Sequence, residues 1–344
     1  MNDGDQPDVW ALYRLMFRSR VFEEAVARLW QAGQISGEMH LNMGEEAIMA
    51  GIVSQLIDGD ALALDHRGTA PLVMRGVDPV LLLREFLGQP QGLCGGHGGH
   101  MHLFSRDYLA ASSGIVGSAG PIAAGFALAA QVLRPGKVSL GFFGDGAINQ
   151  GMLLESLNLA AAWQLPVLFV CKDNQWAITT QSAAVSGGRL LNRAQGFGLH
   201  AIEVDGLDVV AVWRAAREAL QLARSGHGPT FLLAHCVHLE GHFLGDPLLD
   251  MMRKPITAAR KRVVPLMRSM LKRQGAPWRE RLAAMRGMTQ TIQAVQQQRR
   301  SADDPLGRAR RQLSDSVRLI ELENEVRQDI RHIVDSATRP VEQG

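Results

Sequence analysis

The 344-residue sequence has few cysteines and little net charge. Its three cysteines, Cys94, Cys171 and Cys236, lie far apart and lack the spacing of metal ligands. They support neither a disulfide framework nor a zinc site, so a reducing, cytoplasmic setting is expected. A formal net charge of +2 is too small to indicate nucleic acid or an anionic membrane as a general partner.

The sequence also lacks segments that direct a chain into or across a membrane. No apolar run is long enough and sufficiently free of glycine to span a bilayer. The first residues are acidic and lead into an amphipathic helix, which is the wrong order for a secretory signal. Because 46% of the residues are apolar, we expect a large α/β domain with a sizeable core.

Hydrophobic periodicity predicts an opening pair of helices, over residues 9–30 and roughly 44–56. Strands predicted at 138–143 and 166–171 flank a helix at 150–163, which together have the size of a βαβ unit. A second strand, helix and strand follow in HAIEVDG, in residues 209–223 and in PTFLLAHCV. Near-continuous apolar strands between helices predict an α/β fold with a doubly wound, mostly parallel sheet and helical N- and C-terminal additions.

A Gly-Asp-Gly motif follows the first predicted strand, and Asn174 follows the next. A right-handed βαβ crossover brings Asp145 and Asn174 to one edge of the sheet, where their oxygens suit Mg²⁺ and a diphosphate. Gly144 and Gly146 let the backbone approach a phosphate, and the following helix directs free N–H groups at it. The alternative is an ordinary turn with Asn174 as a helix cap.

Further motifs point to one enzyme family: HRG, SGIVG, GDGAINQG, LNLAAAWQLPVLFVCKDNQWAI and GHFLGDP occur in its characteristic order. The chain resembles the alpha subunits of thiamine-diphosphate-dependent first components of pyruvate, branched-chain 2-oxo-acid and acetoin dehydrogenases. The resemblance spans about residues 10–250 and resumes at Asp304. It implies the thiamine-diphosphate-binding fold and an oxidoreductase that decarboxylates a 2-oxo acid, or alternatively cleaves acetoin. The acyl group would pass to a lipoyl-bearing acyltransferase or a carrier protein.

The resemblance implies a role for twelve residues. The expected metal ligands are the side chains of Asp145 and Asn174 and the carbonyl of Trp176. The expected catalytic residues are His40, which faces the substrate, and His242. The cofactor-binding positions are His66, Arg67, Gly114, Val116, Gly144, Asp145, Gly146, Ala147, Asn174, Trp176 and His242.

The sequence departs from the family at the substrate end of this site. Thr69 stands where the family often has histidine, and His100 where serine is common; His97, His100 and His102 favour a glycine-rich loop over a metal cluster. His238 and Glu240 occupy a stretch that is usually rich in tyrosine and arginine. Fewer cations beside a diphosphate weaken its binding. A noncatalytic relative that binds the cofactor is therefore an open alternative.

The resemblance also implies that a second subunit completes the active site. In this family the glutamate that activates the cofactor comes from a beta subunit, and no matching glutamate motif precedes SGIVG here. An α2β2 heterotetramer is therefore expected, with the active site at the subunit boundary.

Composition divides the chain into an α/β domain (1–250), a basic helical insertion (251–303) and C-terminal helices (304–344). Residues 253–300 contain thirteen Lys or Arg and one acid, Glu280. This segment is either a solvated helical face or a docking surface for an acidic lipoyl or carrier domain.

Overall fold

The computed structural model describes residues 6–178, 180–245, 277–280 and 304–339. Its strands are β1 (Ala61–Leu64), β2 (Phe104–Ser105), β3 (Ala110–Ser112), β4 (Ser139–Gly144), β5 (Val167–Asp173), β6 (Trp176–Ala177), β7 (Thr180–Gln181), β8 (His200–Asp205) and β9 (Thr230–His235). Its helices are α1 (Val9–Gln31), α2 (Glu46–Val53), α3 (Thr69–Arg75), α4 (Pro79–Phe86), α5 (Ala119–Leu133), α6 (Gly151–Trp163), α7 (Ser182–Val185), α8 (Leu190–Gly196), α9 (Val209–Arg224), α10 (Pro305–Arg310) and α11 (Ser316–Thr338). A 3₁₀ turn, Asp145–Asn149, joins β4 to α6.

The main sheet has seven strands in the order β2-β3-β1-β4-β5-β9-β8. All neighbouring pairs are parallel except β2 with β3. The register aligns Phe142 of β4 with Val170 of β5, and Val170 with Leu232 of β9. The carboxyl ends of β1, β4, β5 and β9 therefore meet along one edge, as the expected α/β fold requires.

Alternating side chains of the central strands bury both faces of the sheet. Leu140 and Phe142 of β4 belong to a core that includes residues of α1, α2 and α9, whereas Phe143 faces a core shared with α5 and α6. In β5, Leu168 and Phe169 divide between the two faces in the same way. Because successive strand residues point to opposite faces, these strands are apolar along most of their length, and the sheet is doubly wound.

The C-terminal helices α10 and α11 pack back onto α1. The hydroxyl of Tyr13 donates to the Glu323 carboxylate at 2.7 Å. Arg20 forms ion pairs with Glu46 at 2.5 Å and with Asp304 at 2.8 Å. Glu46 is fully buried and Arg20 is 11% exposed, so this arginine joins α1, α2 and the start of α10 through a largely buried charge.

The predicted helices and the two βαβ units are confirmed, with small changes of boundary. Strand β1, an inner strand of the sheet, was not predicted: its sequence ALAL is short and made of residues that favour helices. Strand β5 runs past the predicted end, through Lys172 to Asp173. The basic insertion lies outside the described residues except for 277–280, and the division into domains stays a prediction. No helix in the described ranges is long and apolar enough to cross a membrane.

The end of β9 carries a histidine between two carboxylates from the neighbouring strands. Nδ1 of His235 lies 3.3 Å from Asp173 and Nε2 lies 2.9 Å from Glu203. The hydrogen bond to Asp173, with that to Glu203, outweighs partial burial and raises the pKa of His235 to about 9. The protonated ring therefore binds three adjacent strands together at neutral pH.

We expect His235→Gln to lower the melting temperature near neutral pH and to have little effect in alkali. Because the pKa in the folded state exceeds the ordinary value of about 6.5, the stabilisation is complete below that pH and is lost as pH rises through about 9. The ring is 42% exposed, so the loss should stay below about 1 kcal/mol. Thermal unfolding of both proteins across this pH range tests the idea, and a difference independent of pH would contradict it.

Candidate active site

A cavity of about 480 Å³ lies at the carboxyl ends of β1, β4 and β5. Its volume is in the range of small-molecule sites, and its position is where open α/β sheets bind ligands. All twelve residues that the sequence predicted for the site line this cavity. The structure therefore brings together side chains from segments more than 200 residues apart in the sequence, from His40 to His242.

Asp145 lies just after β4, at the floor of the cavity. Its side chain is 2% exposed, and Ser182 donates its hydroxyl to one carboxylate oxygen. Burial raises the pKa of Asp145 to about 7; the hydrogen bond from Ser182 opposes this rise and the carboxylate of Asp173 adds to it. A buried carboxylate beside another acid is stabilised by either a proton or a cation, so Asp145 is suited to binding a metal ion.

Asn174 follows β5 in a tightly turned loop. Its Oδ1 accepts the backbone N–H of Trp176 at 2.9 Å, and the Asp173 carboxylate accepts that of Gln175 at 2.8 Å. Between them Gln175 has a left-handed φ of 66°, which is uncommon for a residue with a side chain. The two side-chain-to-backbone turns hold this conformation, and so they fix the positions of Asn174 and Trp176 on the cavity wall.

The glycines of the site occupy places where a side chain does not fit. A Cβ on Gly146 would lie 2.9 Å from the Cβ of Ala177, and one on Gly117 would lie 2.7 Å from that of Gln150. These contacts are closer than side chains tolerate, so the backbone around the turn stays bare. Bare backbone N–H groups beside a helix N-terminus suit a phosphate group.

A buried lysine lies between two carboxylates beneath the cavity. The ammonium of Lys172, 1% exposed, is 2.9 Å from Glu45 and 3.0 Å from Asp65. Burial alone would lower the pKa of Lys172, but Asp65 and Glu45 outweigh it and raise the pKa, while Lys172 holds the pKa of both acids below their usual values. All three groups are therefore charged, and they join β5, the start of α2 and the end of β1.

His238 connects this network to Asn174. Its Nε2 lies 2.8 Å from Glu45 and its Nδ1 lies 2.7 Å from the Asn174 amide nitrogen. Burial and the nearby charge of Arg67 lower the pKa of His238 to about 4, so the ring is neutral. The network therefore assigns the proton to Nε2, which donates to Glu45, while Nδ1 accepts from Asn174.

Arg67 is buried with its guanidinium among backbone oxygens. It donates to the carbonyl of Leu41 and, at 2.6 Å, to that of His242. Its Nε has no hydrogen-bond partner within the described part of the chain. The sequence suggested that this arginine forks onto phosphate; in the structure the fork instead holds the segments that carry His40 and His242.

Four histidines line the other end of the cavity or lie directly behind it. Nδ1 of His40 lies 2.8 Å from Nε2 of His100, and the rings of His66 and His242 lie 4.6 and 4.9 Å from that of His40. Burial lowers the pKa of His66 and His242 to about 3 and that of His100 to about 4, and it also lowers the pKa of His40. This end therefore presents neutral imidazoles.

The glycine-rich loop beside the cavity folds around one carboxylate. Glu85, on α4, accepts backbone N–H groups of Cys94, Gly96 and Gly98 at 2.7, 2.9 and 2.6 Å. A Cβ on Gly92 would lie 2.6 Å from the Cα of Glu85. Close approach of the two backbones therefore explains the glycines, and only His100 of this loop's histidines joins the cluster behind the cavity.

Comparison with known proteins identifies the family. Residues 13–303 match the family described as the dehydrogenase E1 component. The chain belongs to this family. It is 43% identical over 245 residues to the alpha subunit of acetoin:2,6-dichlorophenolindophenol oxidoreductase of Cupriavidus necator, covering 70% of this chain and 73% of the relative. It is 38% identical over 244 residues to the protein of the same name from Bacillus subtilis, with the same shares covered.

Pyruvate dehydrogenases are also among the relatives. The chain is 35% identical over 266 residues to the pyruvate dehydrogenase E1 component subunit alpha of Zymomonas mobilis, covering 76% of this chain and 75% of the relative. The expected family and enzyme class are confirmed: the chain is an E1 alpha subunit, and this family consists of thiamine-diphosphate-dependent oxidoreductases.

The cavity of this E1 alpha subunit fits thiamine diphosphate. Gly117, Gly144 and Gly146 line the cavity with backbone alone, which suits a diphosphate, and the buried carboxylate of Asp145 suits a cation. Two features reduce the positive charge that is available to a diphosphate. Arg67 is hydrogen-bonded to carbonyls, and Lys172 is paired with acids. A diphosphate here would therefore depend mainly on backbone N–H groups and on a cation.

The sequence did not predict the buried ion pairs of Lys172 with Glu45 and Asp65. A signal was present: Lys172 interrupts an apolar strand, and Glu45 and Glu46 adjoin an apolar helix. Charged residues in such places are rarely buried unless they are paired. The partners, however, are 127 residues apart, so no local pattern connects Glu45 with Lys172.

Replacing the buried lysine should strongly destabilise the E1 alpha subunit. Lys172→Met leaves Glu45 and Asp65 unpaired in the interior, which costs roughly 3–5 kcal/mol. Chemical denaturation measures this loss. The double variant Lys172→Met with Glu45→Gln should recover part of it, because the two groups interact directly. Additive effects of the two changes would show that the pair is not coupled.

Proposed function

We propose that this E1 alpha subunit forms an α2β2 complex that cleaves acetoin, with thiamine diphosphate and Mg²⁺, and passes the acyl group to a lipoyl group. The observation that carries the proposal is the convergence of all twelve predicted residues on one cavity. The sequence spacing alone predicted only that two of them, Asp145 and Asn174, would meet.

The metal and cofactor roles follow from the donor groups. The carboxylate of Asp145, the amide oxygen of Asn174 and the carbonyl of Trp176 are hard oxygen ligands of the kind Mg²⁺ takes, and Gly144, Gly146 and Ala147 offer backbone to a diphosphate. Bound thiamine diphosphate supplies the carbon nucleophile and electron sink for cleaving a bond beside a carbonyl. Gly114 and Val116 would support its aminopyrimidine ring.

At the substrate end, His40 and His242 offer neutral rings that donate or accept hydrogen bonds at the substrate's oxygens, and His66 and Arg67 would lie beside the cofactor. Neutral imidazoles suit an uncharged hydroxyketone better than a carboxylate, which favours acetoin. The relatives that are 43% and 38% identical carry acetoin in their names. Decarboxylation of a 2-oxo acid is the second candidate, supported by the pyruvate dehydrogenase relative at 35% identity.

A beta subunit would complete the active site. The cavity opens beside Ile115 and Val116, which are 63% and 54% exposed. Exposed apolar side chains continue along the packed helices α5 and α6: Leu128, Val132, Leu133, Met152, Leu159 and Trp163. An apolar surface of this kind indicates a protein interface. We assign it to the beta subunit, and we place the complex in the cytoplasm because all three cysteines are free.

The cofactor assignment is tested by calorimetric titration of thiamine diphosphate with Mg²⁺ into the complex of this chain with its beta subunit. Asp145→Asn should abolish metal-dependent binding, because it removes the charged ligand. Asp107→Asn, at an exposed carboxylate, is the matched control and should bind normally. No binding in the folded wild-type complex would overturn the assignment and favour a noncatalytic relative.

The choice of substrate is tested with the same complex. Acetoin or pyruvate is supplied, and the rate at which an artificial electron acceptor is reduced is measured. Acetoin should support turnover. Turnover with pyruvate alone would establish the 2-oxo-acid alternative, and absence of turnover with both, despite cofactor binding, would indicate a noncatalytic cofactor-binding protein.

The subunit surface is tested by a charge on α5. Val132, 68% exposed, should contact the beta subunit, so Val132→Asp should reduce co-purification of beta and lower the mass of the complex in light scattering. Val317→Asp, at a 66% exposed position on α11, is the control and should leave an α2β2 mass. Equal masses for both variants would exclude this face as the interface.

A further inference from the structure

A buried glutamate on α1 binds the segment that carries His40. Glu23 is 0% exposed, and its two carboxyl oxygens lie 2.9 and 2.8 Å from the backbone nitrogen of Asn42, whose N–H they accept. Asn42 lies two residues after His40, between α1 and α2. Helix α1 is therefore connected through Glu23 to the segment that forms the substrate end of the cavity.

The side chain of Asn42 is fully buried and joins three further groups. Its Nδ2 donates to the carboxylate of Glu45 at 3.0 Å and to the carbonyl of Arg67 at 2.9 Å. Its Oδ1 accepts the N–H of Ala70 at 3.3 Å. These partners settle the orientation of the amide, because a carboxylate and a carbonyl only accept hydrogen bonds. Asn42 therefore links α1, the start of α2 and the start of α3.

Glu23 has no ion pair with a basic side chain in the described part of the chain. The other buried acids beside it, Glu45 and Glu46 at the start of α2, are paired with Lys172 and Arg20. A buried carboxylate without a cation is strongly unfavourable, whereas a protonated carboxyl group that is hydrogen-bonded is not. The surroundings of Glu23 therefore favour its uncharged form.

Charges on neighbouring elements act on the protonation of Glu23. Burial raises its pKa to about 8, and the carboxylates of Glu46 and Glu45 add to this rise. A backbone N–H and the guanidinium of Arg67, which follows β1, oppose the rise in pKa, while Arg20 on α1 itself is bound to Glu46. Glu23 is therefore protonated at neutral pH, and in alkali it places a negative charge beside two other acids.

We propose that Glu23 and Asn42 are positioning residues for the substrate end of the cavity. Uncharged Glu23 fixes the backbone of Asn42, and the side chain of Asn42 holds the segment of His40 against that of Arg67. Neither Glu23 nor Asn42 lines the cavity, so each acts through the residues that it holds. The proposal rests on the proposed function in one respect, namely that His40 faces the substrate.

The first test is hydrogen exchange, measured by mass spectrometry on the complex with its beta subunit, and it needs no turnover. Glu23→Ala removes the acceptor of the Asn42 N–H, so a peptide spanning residues 40–45 should lose protection from exchange. Glu23→Gln keeps an acceptor oxygen and should exchange as the wild type does. Glu24→Ala, at the exposed neighbouring position on α1, is the matched control. Unchanged exchange in Glu23→Ala would overturn the proposal.

The second test is turnover of acetoin or pyruvate by the same complex. Glu23→Ala should lower kcat roughly 10- to 100-fold, because small displacements of reacting groups are costly, and it should leave the affinity for thiamine diphosphate unchanged. In a His40→Ala background the same change should have little further effect, because residues that act through one another are not additive.

Two results of the turnover test would count against positioning. An equal loss of kcat in both backgrounds, or a loss of cofactor affinity, would show general structural damage instead. Absence of turnover in the wild type would contradict the proposed function, and hydrogen exchange would still decide whether Glu23 holds the segment of His40.

The uncharged state of Glu23 is tested by Glu23→Gln, which cannot ionise. Because the pKa in the folded state exceeds the ordinary value of about 4.3, this group lowers stability as pH rises from about 4.3 to about 8. The melting temperature of Glu23→Gln relative to the wild type should therefore increase over that range and stay constant above it. The fall in wild-type kcat above about pH 8 should also be absent from Glu23→Gln. A relative melting temperature that does not change with pH would contradict an uncharged Glu23.

Discussion

The buried ammonium of Lys172 is the constraint on which the cavity floor depends. A charge taken out of water costs several kcal/mol unless opposite charges meet it at close range. Glu45 and Asp65 do so only when α2, β1 and β5 take their observed positions. The same network extends through His238 to Asn174, so one ion triad sets the position of a proposed metal ligand.

Arg67 imposes a second constraint, on the walls rather than the floor. Its guanidinium reaches carbonyls of Leu41 and His242, which lie in segments 200 residues apart. These carbonyls belong to the segments that carry the imidazoles at the substrate end. Arg67 therefore helps to hold the segments of His40 and His242 together, and its charge helps to keep His242 and His100 neutral. An arginine that serves the backbone in this way is less available to phosphate.

The sequence predicts the parts of the site that follow from topology and fails where distant side chains pair. Asp145 and Asn174 could be placed together because both follow parallel strands, whose carboxyl ends share an edge. The long helices and the βαβ units could be predicted because their periodicity is strong. Strand β1 could not, since ALAL has no strand-like pattern, and neither could the pairing of Lys172 with Glu45, which depends on the three-dimensional packing of α2 against the sheet.

Two kinds of metal-ligating atom, oxygen and nitrogen, line the cavity, and different segments of the chain supply them. Oxygen donors come from the turns after β4 and β5, which the sheet holds rigidly, and nitrogen donors come from loops tied together by Arg67. Hard cations such as Mg²⁺ favour oxygen donors over imidazoles, so a metal ion beside a diphosphate would bind at the turns after β4 and β5. Arg67 brings one positive charge to the imidazoles, and Lys172 lies between the negative charges of Glu45 and Asp65. These charges therefore constrain how a diphosphate and a cation would be arranged in the cavity.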